Sequence, residues 1–373
     1  MPKHKSTLLV TALAFALSAA CADDAASPDG GGGNAAPPDG GGGQACTPRD
    51  DAERPDRGSC EPLDSDYSPC ADDAWPACIS DDGHYHRIED TISTIGRVAA
   101  FEEIAELLFN PETEPSSDAF LQARMIYQED EGLDSRVVRR YDPHFLEAGA
   151  EAPDCAAEGV PAMEPDYCVG KARIQGVILD ALNAGILGQQ PRAQAARVEA
   201  GLLWFLYVST FKESLSCTEK ARDCDSSYAY YTGGESARGG VGLSRYVKEV
   251  APHAHDRAWD GLLAQRCWRD LDSAEVASDL ELRDRARQQT DRAILHGVAM
   301  VVRDRLASLG TADDAVRTYH WAFAQVLGSV LDREARQRSS DAADTLASEL
   351  GKDADSIDTG AATAAIDAVF DCP

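Results

Sequence analysis

The sequence is short of positive charge, of strand-forming runs and of local catalytic motifs, and each shortage narrows what the chain can be. Lys and Arg total 35 against 64 Asp and Glu, a formal charge of −29. Such a surface repels phosphate backbones and anionic headgroups, so nucleic acid is not an expected partner. Alternating β-branched runs bounded by turn pairs are missing, which leaves helices as the expected regular structure. No Cys-x-x-Cys occurs, so a zinc ribbon, a haem attachment or a thioredoxin-type site has no support. Gly-x-Ser-x-Gly and His-Glu-x-x-His are also missing, and nothing in the chain asks for an enzyme. Past the first 21 residues the most apolar stretch, Gly201 to Val208, is eight residues long and too short to cross a bilayer.

What is present begins with a leader. Lys3, His4 and Lys5 precede an apolar run from Leu8 to Leu17 that closes on Ser18-Ala19-Ala20-Cys21, the three-part layout of a secretory signal. The closing residues resemble the bacterial lipobox, whose Cys receives diacylglycerol and becomes the new N-terminus. Ser18 stands where the lipobox prefers Leu, and Ser18-x-Ala20 also suits ordinary signal cleavage. The expectation is an extracytoplasmic protein anchored by lipid on Cys21 to a bacterial membrane, at the outer membrane or cell surface. Residues 22–45 carry two Pro-Asp-Gly-Gly-Gly-Gly repeats and almost no large apolar side chain, so they read as a disordered tether.

Setting Cys21 aside leaves ten cysteines, a natural number for an exported chain: Cys46, Cys60, Cys70, Cys78, Cys155, Cys168, Cys217, Cys224, Cys267 and Cys372. Connectivity does not follow from sequence. Short loops favour Cys46–Cys60, Cys70–Cys78, Cys155–Cys168 and Cys217–Cys224, which leaves Cys267–Cys372 to pin the C-terminus. Residues 46–87 show no sustained period and read as an irregular Cys-rich extension ahead of a helical domain over 88–373.

In that domain Ile88, Ile92, Ile95, Val98, Phe101, Ile104 and Leu108 recur at helical spacing up to Asn110-Pro111. Ile174, Val177, Ile178, Ala181, Leu182, Gly185 and Ile186 form a second stripe that stops before Gly188, and Pro191 suits the first turn of the next helix. Gly201 to Val208 is apolar all round and should be surrounded by other helices. Further helical patterns cover about 255–270, 277–308, 312–337 and 359–370. The fold class is therefore all-α, a multi-helix bundle, one large or two packed, with disulfide-stapled loops.

The stretch from Lys212 to Asp272 interrupts those patterns and holds most of the candidate chemistry. A Cys217–Cys224 loop would place Asp225 beside Tyr228, Tyr230 and Tyr231, whose hard oxygens suit hard cations; alternatively these tyrosines pack in the core with bonded hydroxyls. The turn Arg238-Gly239-Gly240-Val241-Gly242-Leu243-Ser244-Arg245 could offer amides, a helix dipole and two guanidinia to an anion, or be a plain loop. His253, His255 and Asp256 could join a divalent site, although Asp256 also suits a helix cap. His84 and His86 with Asp81 and Asp82 form a weaker set. Glu102, Glu103 and Glu106 read as a solvated acidic face, and His320 as a core histidine.

The order of a Cys-rich loop, Tyr230-Tyr231-Thr232-Gly233, the Gly-rich turn, Gln265-Arg266-Cys267, His296-Gly297 and Asp371-Cys372 resembles the algal periplasmic iron-assimilation proteins and the related phytotransferrins, over about residues 165–373. The resemblance implies capture of ferric iron with carbonate for an uptake machinery. Tyr228, Tyr230, Tyr231, Asp225 and either His255 or Asp256 would then bind metal, and Arg238, Gly239, Gly240, Gly242, Ser244 and Arg245 the anion. The tandem domain repeat of the algal members is not evident here. The alternative is a non-metal adhesion or envelope-interaction lipoprotein.

Overall fold

Helices make up nearly all the regular structure, and no strand occurs among the residues that the computed structural model describes: 78–129, 132–147, 149–235, 238–272 and 279–370. Cys21, residues 22–45, Cys46, Cys60, Cys70 and Cys372 lie outside that set.

The first helix, α1 (Ser93–Leu108), buries Val98, Phe101, Ile104 and Leu108 on one face. It begins five residues later than the apolar stripe suggested, because the amides of Ile88 and Glu89 bond to the side chain of Asp225 and hold residues 88–92 outside the helix. Next comes α2 (Ser117–Tyr127), started by Ser116, whose side chain accepts the Ala119 amide, and then α3 (Leu133–Val137). A single 3-10 turn, Pro143–Phe145, is capped by Asp142. Beyond α4 (Val160–Met163), a π turn at Gly170–Ile174 runs into α5 (Gln175–Ile186).

The long α6 (Pro191–Ser216) starts on Pro191 as expected, and every residue from Gly201 to Val208 is buried. Each such Leu, Val or Phe contributes about 1.5–3 kcal/mol relative to exposure. Helices α7 (Ala221–Thr232) and α8 (Leu243–Val250) fill the stretch read as an interruption, and α9 (Pro252–Leu271) is the helix expected over about 255–270. The polar, Tyr-rich sequence of that stretch conceals helices whose polar groups are satisfied internally.

The remainder is α10 (Leu280–Leu309), α11 (Asp314–Leu327), a 3-10 turn at Gly328–Leu331, α12 (Asp332–Arg338), α13 (Ser340–Leu350) and α14 (Thr359–Val369). The expected single helix over 312–337 is thus broken at Gly328, which packs so closely on the Leu350 side chain that a Cβ would collide with it. In this bundle α6 is surrounded by α1, α5, α7, α8, α10 and α11, while α10 forms a second axis packed on α8, α9, α11 and α14. One continuous apolar core links them, so of the two arrangements left open the single large bundle is the one adopted.

Two buried carboxylates cross-link this core. Glu199 of α6, 1% exposed, accepts from Tyr246 of α8 at 2.8 Å, Tyr319 of α11 at 2.5 Å and Arg305 of α10 at 3.1 Å. One turn-cluster further on, Glu213 accepts from Arg140 at 2.6 Å, and the same guanidinium donates to the Tyr230 hydroxyl of α7 at 2.7 Å. His320 sits beside the first network, buried, with burial pushing its pKa down to about 4.

Three disulfides lie in the described residues. Cys155–Cys168 and Cys217–Cys224 pair as the short loops suggest. Cys78, however, is bonded to Cys267 of α9, which corrects the expected Cys70–Cys78 and Cys267–Cys372 pairings. Tertiary packing explains this: residues 78–92 lie as a strap along α9, where Arg266 donates to the His86 carbonyl at 2.6 Å and the Trp259 indole to that of Gly83 at 3.3 Å.

Candidate functional site

The tyrosines of α7 point to different neighbours, since a helix advances about 100° per residue. Tyr228 stacks on Tyr85 of the strap with centroids 3.8 Å apart, and its hydroxyl has no partner in hydrogen-bonding geometry among the described residues. The hydroxyl of Tyr230 faces the Arg140 guanidinium. That of Tyr231 meets His255 Nδ1 at 3.1 Å. Asp225, wholly buried, accepts from Tyr85, Ile88 and Glu89 through both oxygens. Burial raises its pKa against the opposing pull of those amides.

The Gly-rich turn does hold a carboxylate, but it is the protein's own. Gly242, at φ 63°, presents its amide to Glu102 Oε1 of α1 at 2.6 Å, and Arg245 reaches the same side chain at 2.9 Å. Ser244 donates to the Val241 carbonyl, and Gly240 packs against Thr232 too closely to admit a Cβ. Arg238 lies between Asp256 at 2.7 Å and Asp260 at 2.5 Å. Gly239 sits in the same turn, ahead of α8.

Ferric iron with carbonate does not fit this arrangement. Its oxygen donors are divided among separate partners, one of them a guanidinium that would oppose the metal's charge. Burial holds Tyr228 up at about 12 and Tyr231 well above its ordinary value, so both are neutral phenols. Burial presses His255 down to about 4, so its imidazole is neutral. Elsewhere His86 pairs with Asp82 at 2.8 Å on an exposed edge, and Glu103 and Glu106 are exposed. Cys78, Asp81 and Cys267 come together near the strap, but the two sulfurs are bonded to each other and offer no thiolate.

A different site emerges where α6, α12 and α13 meet the segment after α3. A cavity of about 410 Å³ opens there, lined by apolar Trp204, Val169, Leu346 and Leu350 and by polar Asp142, Tyr207 and Arg333 among others. The π turn carries Val169's neighbour Gly170 against the carbonyls of Val137 and Arg140, with no room for a Cβ. That close approach brings Asp142 and Val169 to one side of the chamber. Nearer the opening, Arg173 pairs with Asp166, and Asp332 takes Arg336 at 2.9 Å.

Beside the lining residue Asp142, His144 lies between two carboxylates. Its Nδ1 is 2.6 Å from Asp142 and its Nε2 2.9 Å from Asp291 of α10, while its ring stacks on Phe211 at 3.8 Å. Burial alone would depress its pKa, but Asp291 and Asp142 outweigh burial and raise it to about 9. The side chain is an imidazolium at neutral pH, with both nitrogens donating. Asp291 is correspondingly held low, burial opposing and His144 prevailing, and it also accepts from Tyr207 at 3.2 Å.

No protein-family model, no curated protein and no solved structure matches this chain. The functional reading therefore rests on geometry. Arg333 is the most informative residue: among the described residues it makes no hydrogen bond, and its ion pair with Glu334, at 3.8 Å, is beyond hydrogen-bonding distance. Burial works against its charge, yet Tyr207, Asp291 and Asp142 more than compensate and raise its pKa. Asp142 spends Oδ1 on His144, and its Oδ2 has no hydrogen-bond partner among the described residues. Sequence reasoning missed Asp142, His144, Tyr207, Asp291 and Arg333 because they come from four separate segments. Only the Asp-Pro-His run at 142–144 carries a local signal, that of a capped turn.

Proposed function

We propose that this chain is an extracytoplasmic binding protein, tethered through lipid on Cys21, that holds a small organic ligand in the chamber between α6, α12 and α13. The observation that carries the reading is the Arg333 guanidinium, which lines a roomy, partly apolar chamber and makes no hydrogen bond among the described residues. Ligand sites share two of these features, a volume of several hundred Å³ and a few polar side chains converging beside apolar ones. Binding without turnover is favoured because His144, the obvious acid–base group, has both nitrogens occupied by carboxylates.

Mass spectrometry of small molecules released from the purified intact protein tests this, with Ala347→Trp as the comparison. Ala347 lies on the exposed rim of the chamber, so an indole there should obstruct the opening without disturbing the core. The expected result is a compound carried by the wild type and lost from the variant. No compound from the wild type, and no stabilisation by any member of a metabolite panel, would overturn the reading in favour of an envelope-interaction role.

A further inference from the structure

Two opposite charges, Arg333 and Asp142, line the chamber close enough to interact electrostatically but form no ion pair with each other. Arg333 offers unclaimed donors, and Asp142 offers an unclaimed oxygen. The other charged groups at the chamber are already matched, Asp166 by Arg173 and Asp332 by Arg336. His144 fixes Asp142 from behind, and the Tyr167 carbonyl accepts the Asp142 amide at 2.7 Å, so this carboxylate is not free to swing across to Arg333.

A ligand bearing only a negative charge would satisfy Arg333 but place like charge beside Asp142. One bearing only a positive charge would do the reverse. A molecule whose acid and amine sit on one carbon, with an apolar body, matches all the surfaces together. Resting on the reading that the chamber is a ligand site, we propose that its ligand is a zwitterionic α-amino acid with an apolar side chain. The carboxylate is held by Arg333, the ammonium by Asp142, and the side chain lies against Trp204, Val169, Leu346 and Leu350.

Bidentate guanidinium–carboxylate pairing gives such recognition its directionality. The Tyr207 hydroxyl, already donating to Asp291, keeps a lone pair for the ammonium. The buried imidazolium offsets the two carboxylates that flank it, so the amino group is not drawn past Asp142 toward Asp291.

Isothermal titration of the intact protein tests the assignment with four probes: L-leucine, L-phenylalanine, 4-methylpentanoate and 3-methylbutylamine. At least one amino acid should bind, the acid and the amine should bind roughly 30-fold more weakly or not at all, and Arg333→Gln should weaken the amino acid by a similar factor. Ala347→Trp should abolish binding. If 4-methylpentanoate binds as tightly as L-leucine and Ala347→Trp blocks both, the zwitterion assignment falls while the chamber stands as a ligand site. If none of the four binds, the assignment is overturned, and the released-compound measurement decides separately whether the chamber holds something else. Circular dichroism of Arg333→Gln shows whether a loss reflects recognition or folding, and Arg333→Lys should recover only part of the affinity.

Discussion

Ile88 gives its single backbone amide to both carboxylate oxygens of Asp225, at 3.1 and 2.9 Å, so a residue of α7 fixes the course of a strap 137 positions earlier in the chain. Asp225→Ala removes the acceptor for this amide, for that of Glu89 and for the Tyr85 hydroxyl. The expected cost is about 2–3 kcal/mol in chemical denaturation, because buried donors are left without partners. Asp225→Asn keeps one acceptor oxygen and should lose less.

Stability should depend on pH through His144. Its folded pKa of about 9 lies above the unfolded value near 6.5, so the contribution is fully present below about pH 6.5 and is lost as pH rises through 9. The shift corresponds to about 3 kcal/mol. Denaturation midpoints should therefore fall more steeply between pH 6.5 and 9 for the wild type than for His144→Gln. Parallel slopes would show that His144 is not an imidazolium in the folded protein.

Opening the Cys78–Cys267 bond closes off a different kind of support. It spans 189 residues, and replacing both cysteines by Ser should cost about 2–5 kcal/mol. Amide exchange at Ile88 and Glu89 should accelerate before that of α6, since the strap is held at its far end by Asp225 and at its near end by this crosslink. Uniform loss of protection across all helices would refute that order.

Titration with ferric iron and bicarbonate should give no visible tyrosinate band, because the α7 phenols are buried and Asp225 is fully bonded. A stoichiometric band lost in Tyr231→Phe would reinstate an iron site at the Tyr231–His255 pair.

The helices legible in the sequence are those with strong apolar stripes and hard stops, such as α5 before Gly188 and α6 from Pro191. Among those that escaped, α2 and α13 bury few large side chains: Phe120 and Tyr127 in the former, Leu346 and Leu350 in the latter. Their signals were the caps Ser116 and Ser339 rather than periodicity. The α7 cluster was conspicuous as composition, yet its members belong to three different hydrogen-bonded groups, because helix geometry disperses what sequence places side by side. Conversely, the chamber is invisible along the chain, since it assembles residues from the 3-10 turns at Pro143–Phe145 and Gly328–Leu331 and from α6, α12 and α13.

Glu199 and Glu213 give α6 two anchoring points on either side of Trp204 and Tyr207, the first tied to α8, α10 and α11 and the second to Arg140 of the segment after α3. Sliding α6 by even one turn would strand a buried carboxylate, so this helix is indexed like a keyed shaft and cannot act as a moving part. The side of the chamber that α6 supplies through Trp204 and Tyr207 is therefore its fixed one, a rigid datum against which the remaining lining is positioned.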